Sequence, residues 1–268
     1  MNSLTVNVKI LRLNLREKLV EEREEPVAKE IPVNIYVNKT HAATLFASPN
    51  YLKELGIGWL LGQGIIKSVD EISEVQVKEN NVVVKYMGDV EARIKAAKTL
   101  KIIDTSCGST SEEFGFLIDR ISKPMVKSKY KVSAEEILHF IKRLNSLSEV
   151  FRVTGGTHSA AIFEDEKLVA FAEDVGRHNA VDKVVGMAAL KKADFSRCVL
   201  VSSGRQPANM VLKAARVGIP IVASIASPLH SGVEAAKKTG VTLVCFVRGQ
   251  RMNIYSNPER IEILNSKH

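Results

Sequence analysis

Apolar positions along the chain follow two different spacings, and the change between them divides it. Residues 31–37, 42–47, 72–77 and 82–86 alternate or run in short apolar blocks, the spacing of strands. One helix interrupts them. Ser48 is placed as its N-cap and Pro49 in its first turn, and Leu52, Leu55, Trp59 and Leu60 follow at helical spacing. A polar stretch near 122–133, with Pro124 inside it, reads as a linker. Beyond it Ser133 opens a helix, with Glu136 completing a capping box. From there strands and helices alternate. The strand at 168–172 runs into a helix with Val181, Val184, Val185, Ala188 and Ala189 on one face. The strand at 198–202 precedes a helix from Pro207 to about Val217. A further helix has Ser227 as N-cap, Pro228, Leu229, Val233 and Ala236 within it, and Gly240 as C-cap, and a strand at 243–247 follows. The pattern predicts a small α+β domain over 1–125 and a three-layer α/β domain with a partly parallel sheet over 126–268.

The polar residues at the ends of these strands carry the candidate chemistry. Residues 173–183 read Glu-Asp-Val-Gly-Arg-His-Asn-Ala-Val-Asp-Lys and span one strand-to-helix turn. In open α/β sheets such turns are where ligands sit. A solvated turn with capping acids is the plain alternative. Arg205, in Ser203-Gly204-Arg205-Gln206-Pro207, lies beside a second helix start. Arg248-Gly249-Gln250-Arg251 ends a third strand, and Val153 leads as a strand into Gly155-Gly156-Thr157-His158. Together these turns indicate a pocket for a polyanion. Arg177, His178, Asp182 and Lys183 are expected to share it with Arg248, with His158 approaching from the side. A mutual or Glu173-directed ion pair of Asp182 and Lys183 is the structural alternative. No Gly-Lys-Ser/Thr phosphate loop and no G-x-G-x-x-G fingerprint occurs.

Composition narrows the class. The 268 residues are 45% hydrophobic, enough for two cores, and the net charge of +8 favours anionic partners. The basic residues are dispersed and lack interleaved aromatics, so a nucleic-acid partner is not expected. The segment from Met1 to Val20 alternates apolar residues with charges and has no apolar core of a signal peptide. No apolar run has the length of a membrane span, so the expected setting is cytoplasmic. Of three cysteines, Cys198 and Cys245 lie in apolar strand runs and read as inert packing residues. Cys107 lies in a polar loop. A helix is predicted from Thr110, with Glu113 as its capping partner and Phe114, Leu117, Ile118 and Ile121 at helical spacing. The helix dipole favours the thiolate at Cys107, and Glu112 and Glu113 oppose it. An incidental surface cysteine is the alternative.

These residues resemble those of a known family. Gly58-Trp59-Leu60-Leu61-Gly62-Gln63-Gly64-Ile65-Ile66, Cys107-Gly108, Gly156 to Ala161, Glu173 to Lys183, Ser203-Gly204-Arg205 and Phe246 to Arg251 followed by Tyr255 are similar, in order, to the motifs of FdhD, the formate dehydrogenase accessory sulfurtransferase. The run from Glu173 to Lys183 is highly specific to it.

The resemblance implies a sulfur relay. A cysteine desulfurase loads sulfane sulfur onto Cys107. The persulfide then sulfurates the molybdenum or tungsten of a bis-pterin guanine dinucleotide cofactor bound for the formate dehydrogenase catalytic subunit. It further implies a homodimer, a cytidine-deaminase-like three-layer C-terminal domain, and cofactor binding by Phe246, Val247, Arg248, Gly249, Gln250 and Arg251, with GDP as a fragment mimic. Arg205, Arg177, His178 and His158 join this candidate set, since guanidinium forks suit phosphate. Two positions depart from the family pattern. Thr110 stands where the family loop has a second cysteine, and Gln63 replaces a usual Glu. A zinc deaminase on the same fold would need His-x-Glu and Cys-x-x-Cys, and the chain has neither, so no protein-bound zinc is expected. A cofactor-binding chaperone without sulfur transfer is the second alternative.

Overall fold

The structure is a computed structural model, and it describes residues 4–88, 90–91, 93–94 and 124–263. The Cys107 loop and the helix expected from Thr110 lie outside the described residues. The amino-terminal half contains β1 (Thr5–Asn14), β2 (Leu19–Ala28), β3 (Ile31–Val37), β4 (Thr40–Ala47), α1 (Leu52–Gly62), β5 (Ile72–Lys78) and β6 (Asn81–Tyr86). The carboxy-terminal half contains β7 (Val132–Ser133), α2 (Ala134–Leu147), α3 (Glu149–Thr154), β8 (His158–Glu164), β9 (Lys167–Asp174) and α4 (Arg177–Leu190). It continues with β10 (Cys198–Ser202), α5 (Ala208–Val217), β11 (Ile221–Ser224), α6 (His230–Thr239), β12 (Thr242–Arg248), β13 (Arg251–Ser256) and β14 (Ile261–Glu262).

Strand order in the main sheet is β13-β12-β11-β10-β8-β9. The strands β10, β11 and β12 are parallel, β13 and β8 run antiparallel to them, and β9, antiparallel to β8, runs the same way as the central three. Strands covered on both faces read as unbroken apolar runs, which is why 198–202 and 243–247 were legible without alternation. Alternate residues feed two cores. Ala160, Ile162, Cys198, Leu200, Val222, Leu243 and Cys245 face α4, α5 and α6. Ala161, Phe163, Val199, Val201, Ala223 and Val244 face Ile137, Phe140, Ile141 and Leu144 of α2. The Phe140 and Phe163 rings stack with centroids 4.3 Å apart. The expected helix–sheet–helix layering of this half is therefore present.

The second sheet, ordered β4-β3-β6-β5, covers α1 from outside. Its Val33, Ile35, Val82 and Val84 belong to the same apolar cluster as Val181, Val184 and Leu200. The pattern predicted an apolar stripe on α4. Instead α4 is buried from Asn179 to Gly186 on every side, because α1 lies across it. The crossing is closer than side chains allow. A Cβ on Gly58 of α1 would stand 1.7 Å from the carbonyl oxygen of Asp182, and one on Gly186 would stand 2.0 Å from that of Glu54. The Gly58-Trp59-Leu60-Leu61-Gly62 motif thus packs two helices backbone to backbone.

Several expected helix starts are corrected. Ser48 does not cap α1, which begins behind Tyr51 in the left-handed region at φ 53°. Ser48 Oγ instead accepts the N–H of Val175, 127 residues along the chain. Pro207 is the N-cap of α5 and not its first helical residue. Leu229, not Ser227, precedes α6, and the Ser227 carbonyl accepts the N–H of Gln206. Gly240 ends α6 as expected. Val153 lies in a helix, α3, so the Gly155-Gly156 turn leads into a strand and does not follow one. The alternation near the amino terminus falls on β1, which pairs with β2 in a two-stranded ribbon, and Leu11, Leu13 and Leu15 are exposed. Among the described residues, no helix is long and apolar enough to cross a membrane.

Replacing Gly58 by alanine tests the crossing. Alanine improves intrinsic helix propensity by about 1 kcal/mol. Overpacking against a backbone carbonyl outweighs this, and a net loss of about 2 kcal/mol is expected in urea unfolding. Unchanged stability would mean that the two helices can separate at little cost.

Candidate anion-binding site

The motif from Glu173 to Lys183 divides into residues that build the fold and residues that face outward. Glu173 is buried, and its carboxylate accepts the N–H groups of Val150 and Phe151 (2.9 and 2.8 Å) and the hydroxyl of Thr157 (3.0 Å), capping α3 from a neighbouring strand. Asp174 and Lys183 are both fully buried and pair at 2.6 Å. Lys183 Nζ also donates to the carbonyl of Ser48 (3.0 Å) and to Asn50 Oδ1 (2.6 Å), so its three protons are used. Asp174 accepts further from the N–H of Ser48, the N–H of Gly176 and Asn179 Nδ2. Asn179 reaches the carbonyl of Phe46 as well (2.7 Å). Asp182 pairs with Lys213 of α5 at 2.5 Å, both buried.

The expectation that Asp182 and Lys183 line the ligand cavity is therefore corrected. Six and seven residues past the Gly176 N-cap, they have turned inward against α5 and against the loop before α1, and they serve ion pairs with Lys213 and Asp174. The suggested pairing of the two with each other or with Glu173 is also replaced.

Arg177 and His178 open α4 at the carboxyl edge of the sheet, where β9 and β10 end and β8 begins. His158 Nδ1 lies 3.2 Å from Ser203 Oγ, and that hydroxyl also accepts the N–H of Ser159 (2.9 Å). Gly204 brings the β10 turn against α4, since a Cβ there would stand 2.7 Å from Arg177 Cβ. Arg205 follows, exposed. His178 Nε2 donates to Asn209 Oδ1 of α5 (3.0 Å). The misread start of β8 still delivers His158 here, because an antiparallel strand begins where its neighbours end. Asn209, Lys213 and Asn50 were not foreseen. They lie far along the chain from the motif, and no local pattern marks them.

The electrostatics are one-sided. Burial, then Arg177 and Arg205, lower the basicity of His158, and Asp174 opposes them. Burial, then Lys213, push His178 down to about 4, against the hydrogen bond it donates to Asn209. Both imidazoles are thus neutral beside three cationic side chains.

The stretch Phe246, Val247, Arg248, Gly249, Gln250 and Arg251 lies further along the same edge. Phe246 adopts φ 54°, where the β12–β13 register breaks. Arg248 Nε donates to the carbonyl of Ile225 (2.9 Å), and its guanidinium sits 5.6 Å from the Phe246 ring centre. Gln250 and Arg251 are exposed at the turn. Val247 is fully buried in the α2-side core, so only its backbone can meet a ligand.

Comparison with known proteins decides the family. The FdhD/NarQ family model matches residues 28–262. The chain belongs to the FdhD/NarQ family. Among curated FdhD proteins, the sulfur carrier protein FdhD of Methanothermobacter thermautotrophicus is 39% identical over 88% of this chain and 92% of its own length. That of Sulfolobus acidocaldarius is 35% identical over 90% of this chain and 92% of its own. A crystal structure from Desulfotalea psychrophila, described as a formate dehydrogenase accessory protein, matches with a TM-score of 0.77. It is 31% identical, and the match covers 97% of this chain and 100% of that one.

The buried imidazole makes stability depend on acidity. The folded midpoint of His178 is about 4, below the ordinary 6.5. Between these values the unfolded chain binds the extra proton, so the contribution is complete above about 6.5 and is lost as pH falls toward 4. About 3 kcal/mol is expected from this group. Chemical unfolding of wild type and His178→Gln across that range checks it, and the variant should show the shallower slope.

Proposed function

We propose that the protein is a sulfurtransferase of the FdhD kind. It takes persulfide sulfur from a cysteine desulfurase and passes it to the bis-pterin guanine dinucleotide molybdenum or tungsten cofactor needed by formate dehydrogenase. The observation that carries this reading is the contrast among the cysteines. Cys198 and Cys245 are fully buried in β10 and β12, and burial pushes both thiols up to about 12. A persulfide carrier reacts as the thiolate, so neither can serve. Cys107, in its polar run Thr105-Ser106-Cys107-Gly108-Ser109, is the remaining thiol. In loading, the Cys107 thiolate attacks the outer sulfur of the donor's persulfide, and the donor thiolate leaves. Thr110 rules out a disulfide within the loop, so a single thiol carries the sulfur.

Support for the cofactor as the bound substrate comes from the sheet edge. Its phosphates and guanines are anionic and planar, and Arg177, Arg205, Arg248 and Arg251 offer guanidinium groups suited to both. His158 and His178 add neutral hydrogen-bonding partners. The description of the Desulfotalea psychrophila structure as a formate dehydrogenase accessory protein supports formate dehydrogenase as the beneficiary, and this chain is proposed to act in the same setting as a cytoplasmic homodimer.

Incubation with a cysteine desulfurase and cysteine, followed by mass spectrometry, should place one additional sulfur on Cys107. Cys107→Ser should abolish this and the activation of formate dehydrogenase while leaving the fold intact. Sulfur mainly on Cys198 or Cys245 would overturn the assignment. Cofactor binding with no sulfur on any cysteine would favour a chaperone role.

The arginines are tested with a fragment. Arg248→Ala should weaken GDP binding by about 1.5–3 kcal/mol in calorimetry, the worth of one charge-assisted hydrogen bond. If the Arg248→Ala, Arg251→Ala double variant binds GDP as wild type does, the nucleotide is held elsewhere.

A further inference from the structure

We propose that the anion cluster is proton-linked: a dianionic group seated between Arg177 and Arg205 draws one proton from solvent onto the imidazole of His158. The inference rests on the reading of this edge as a phosphate site.

The groups around His158 leave little other means of response. Arg177 and His178 face it from α4, Arg205 from the β10 turn, and Asn209 and Lys213 stand behind His178 on α5. The nearby acids are committed elsewhere. Asp174 is paired with Lys183, Glu173 caps α3, and Asp182 is paired with Lys213. Among the described residues the guanidinium groups of Arg177 and Arg205 dominate the ligand side, and burial and these two groups hold the half-buried imidazole neutral against Asp174 on the adjoining strand. A dianion reverses the local field, and an opposite charge at this distance favours the protonated ring. Ser203 holds the ring in place through Nδ1. His178 is less able to respond. It is more deeply buried, its Nε2 is tied to Asn209, and Lys213 opposes its charging.

The direction of the linkage follows. The loaded site has the more basic His158, so binding is strongest below the empty-state midpoint and weakens as pH rises through the loaded-state midpoint. Such a site releases its ligand when the imidazole gives up its proton, a property suited to a protein that hands its cargo on.

Sulfate is the appropriate probe, because its own charge is constant over this range. The titration of His158 is followed by NMR of histidine-labelled protein with and without sulfate, the resonance being assigned with His158→Gln. Its midpoint should rise by about one unit on binding. Sulfate affinity in calorimetry should be several-fold greater at pH about 5 than at pH about 7.5, approaching the roughly tenfold limit of a one-unit shift. In His158→Gln the ratio of the two affinities should fall toward one. Sulfate that binds, and is lost in Arg205→Ala, yet leaves the His158 midpoint unmoved would overturn the linkage and leave the anion site standing. Failure of wild type to bind sulfate, or binding indifferent to Arg205→Ala, would overturn the anion site and the linkage together.

Discussion

The ion pair between Lys183 and Asp174 is the constraint on which the candidate site depends. Both side chains are fully excluded from water. Burying two charges costs several kcal/mol each unless every polar atom is matched. Here the matching partners come from three separated segments: the Ser48–Asn50 loop, the end of β9 and the first turns of α4. The network therefore fixes the N-terminal sheet against the main sheet and sets where α4 begins. Loss of either partner would leave an uncompensated buried charge.

The position of that helix start determines the chemistry. Once Asp174, Asn179 and Lys183 are held inside, Arg177 and His178 fall at the sheet edge, opposite His158 and Arg205. Among the described residues the acids of the motif are tied into structural contacts, so Arg177 and Arg205 set the sign of the edge. The overall charge of +8 gives no hint of this, because it is spread over the chain. The local sign arises because acids and bases of one motif are sorted, acids inward and Arg177 outward.

The same sheet separates the thiols. Cys198 and Cys245 occupy positions facing α4, α5 and α6, where apolar packing raises their proton affinity and closes access. Their role is to fill volume. A carrier thiol has to lie outside such a core, which is consistent with the polar surroundings of Cys107 in the sequence. On the proposed function, transfer chemistry and fold stability fall to different cysteines.

Much of this was legible in the chain itself. Strands 198–202 and 243–247 announced themselves by unbroken apolar runs, the capping box at Ser133 and Glu136 formed as read, and the FdhD motifs identified the family. Local spacing determines these features, since each needs only neighbours a few residues away. The assignments that changed all concern distant partners. Ser48 looked like a helix cap because its local sequence permits one, but Val175 and Asp174 claim it. Lys183 and Asp182 looked like ligand contacts beside Arg177, and α1 and α5 cover them. Asn209 carried no local mark, yet it holds His178 in place. A sequence specifies which side chains can bear charge or bond hydrogen. Which of them face the interior and which face a ligand is decided by the elements that pack across them, and those lie tens to more than a hundred residues away.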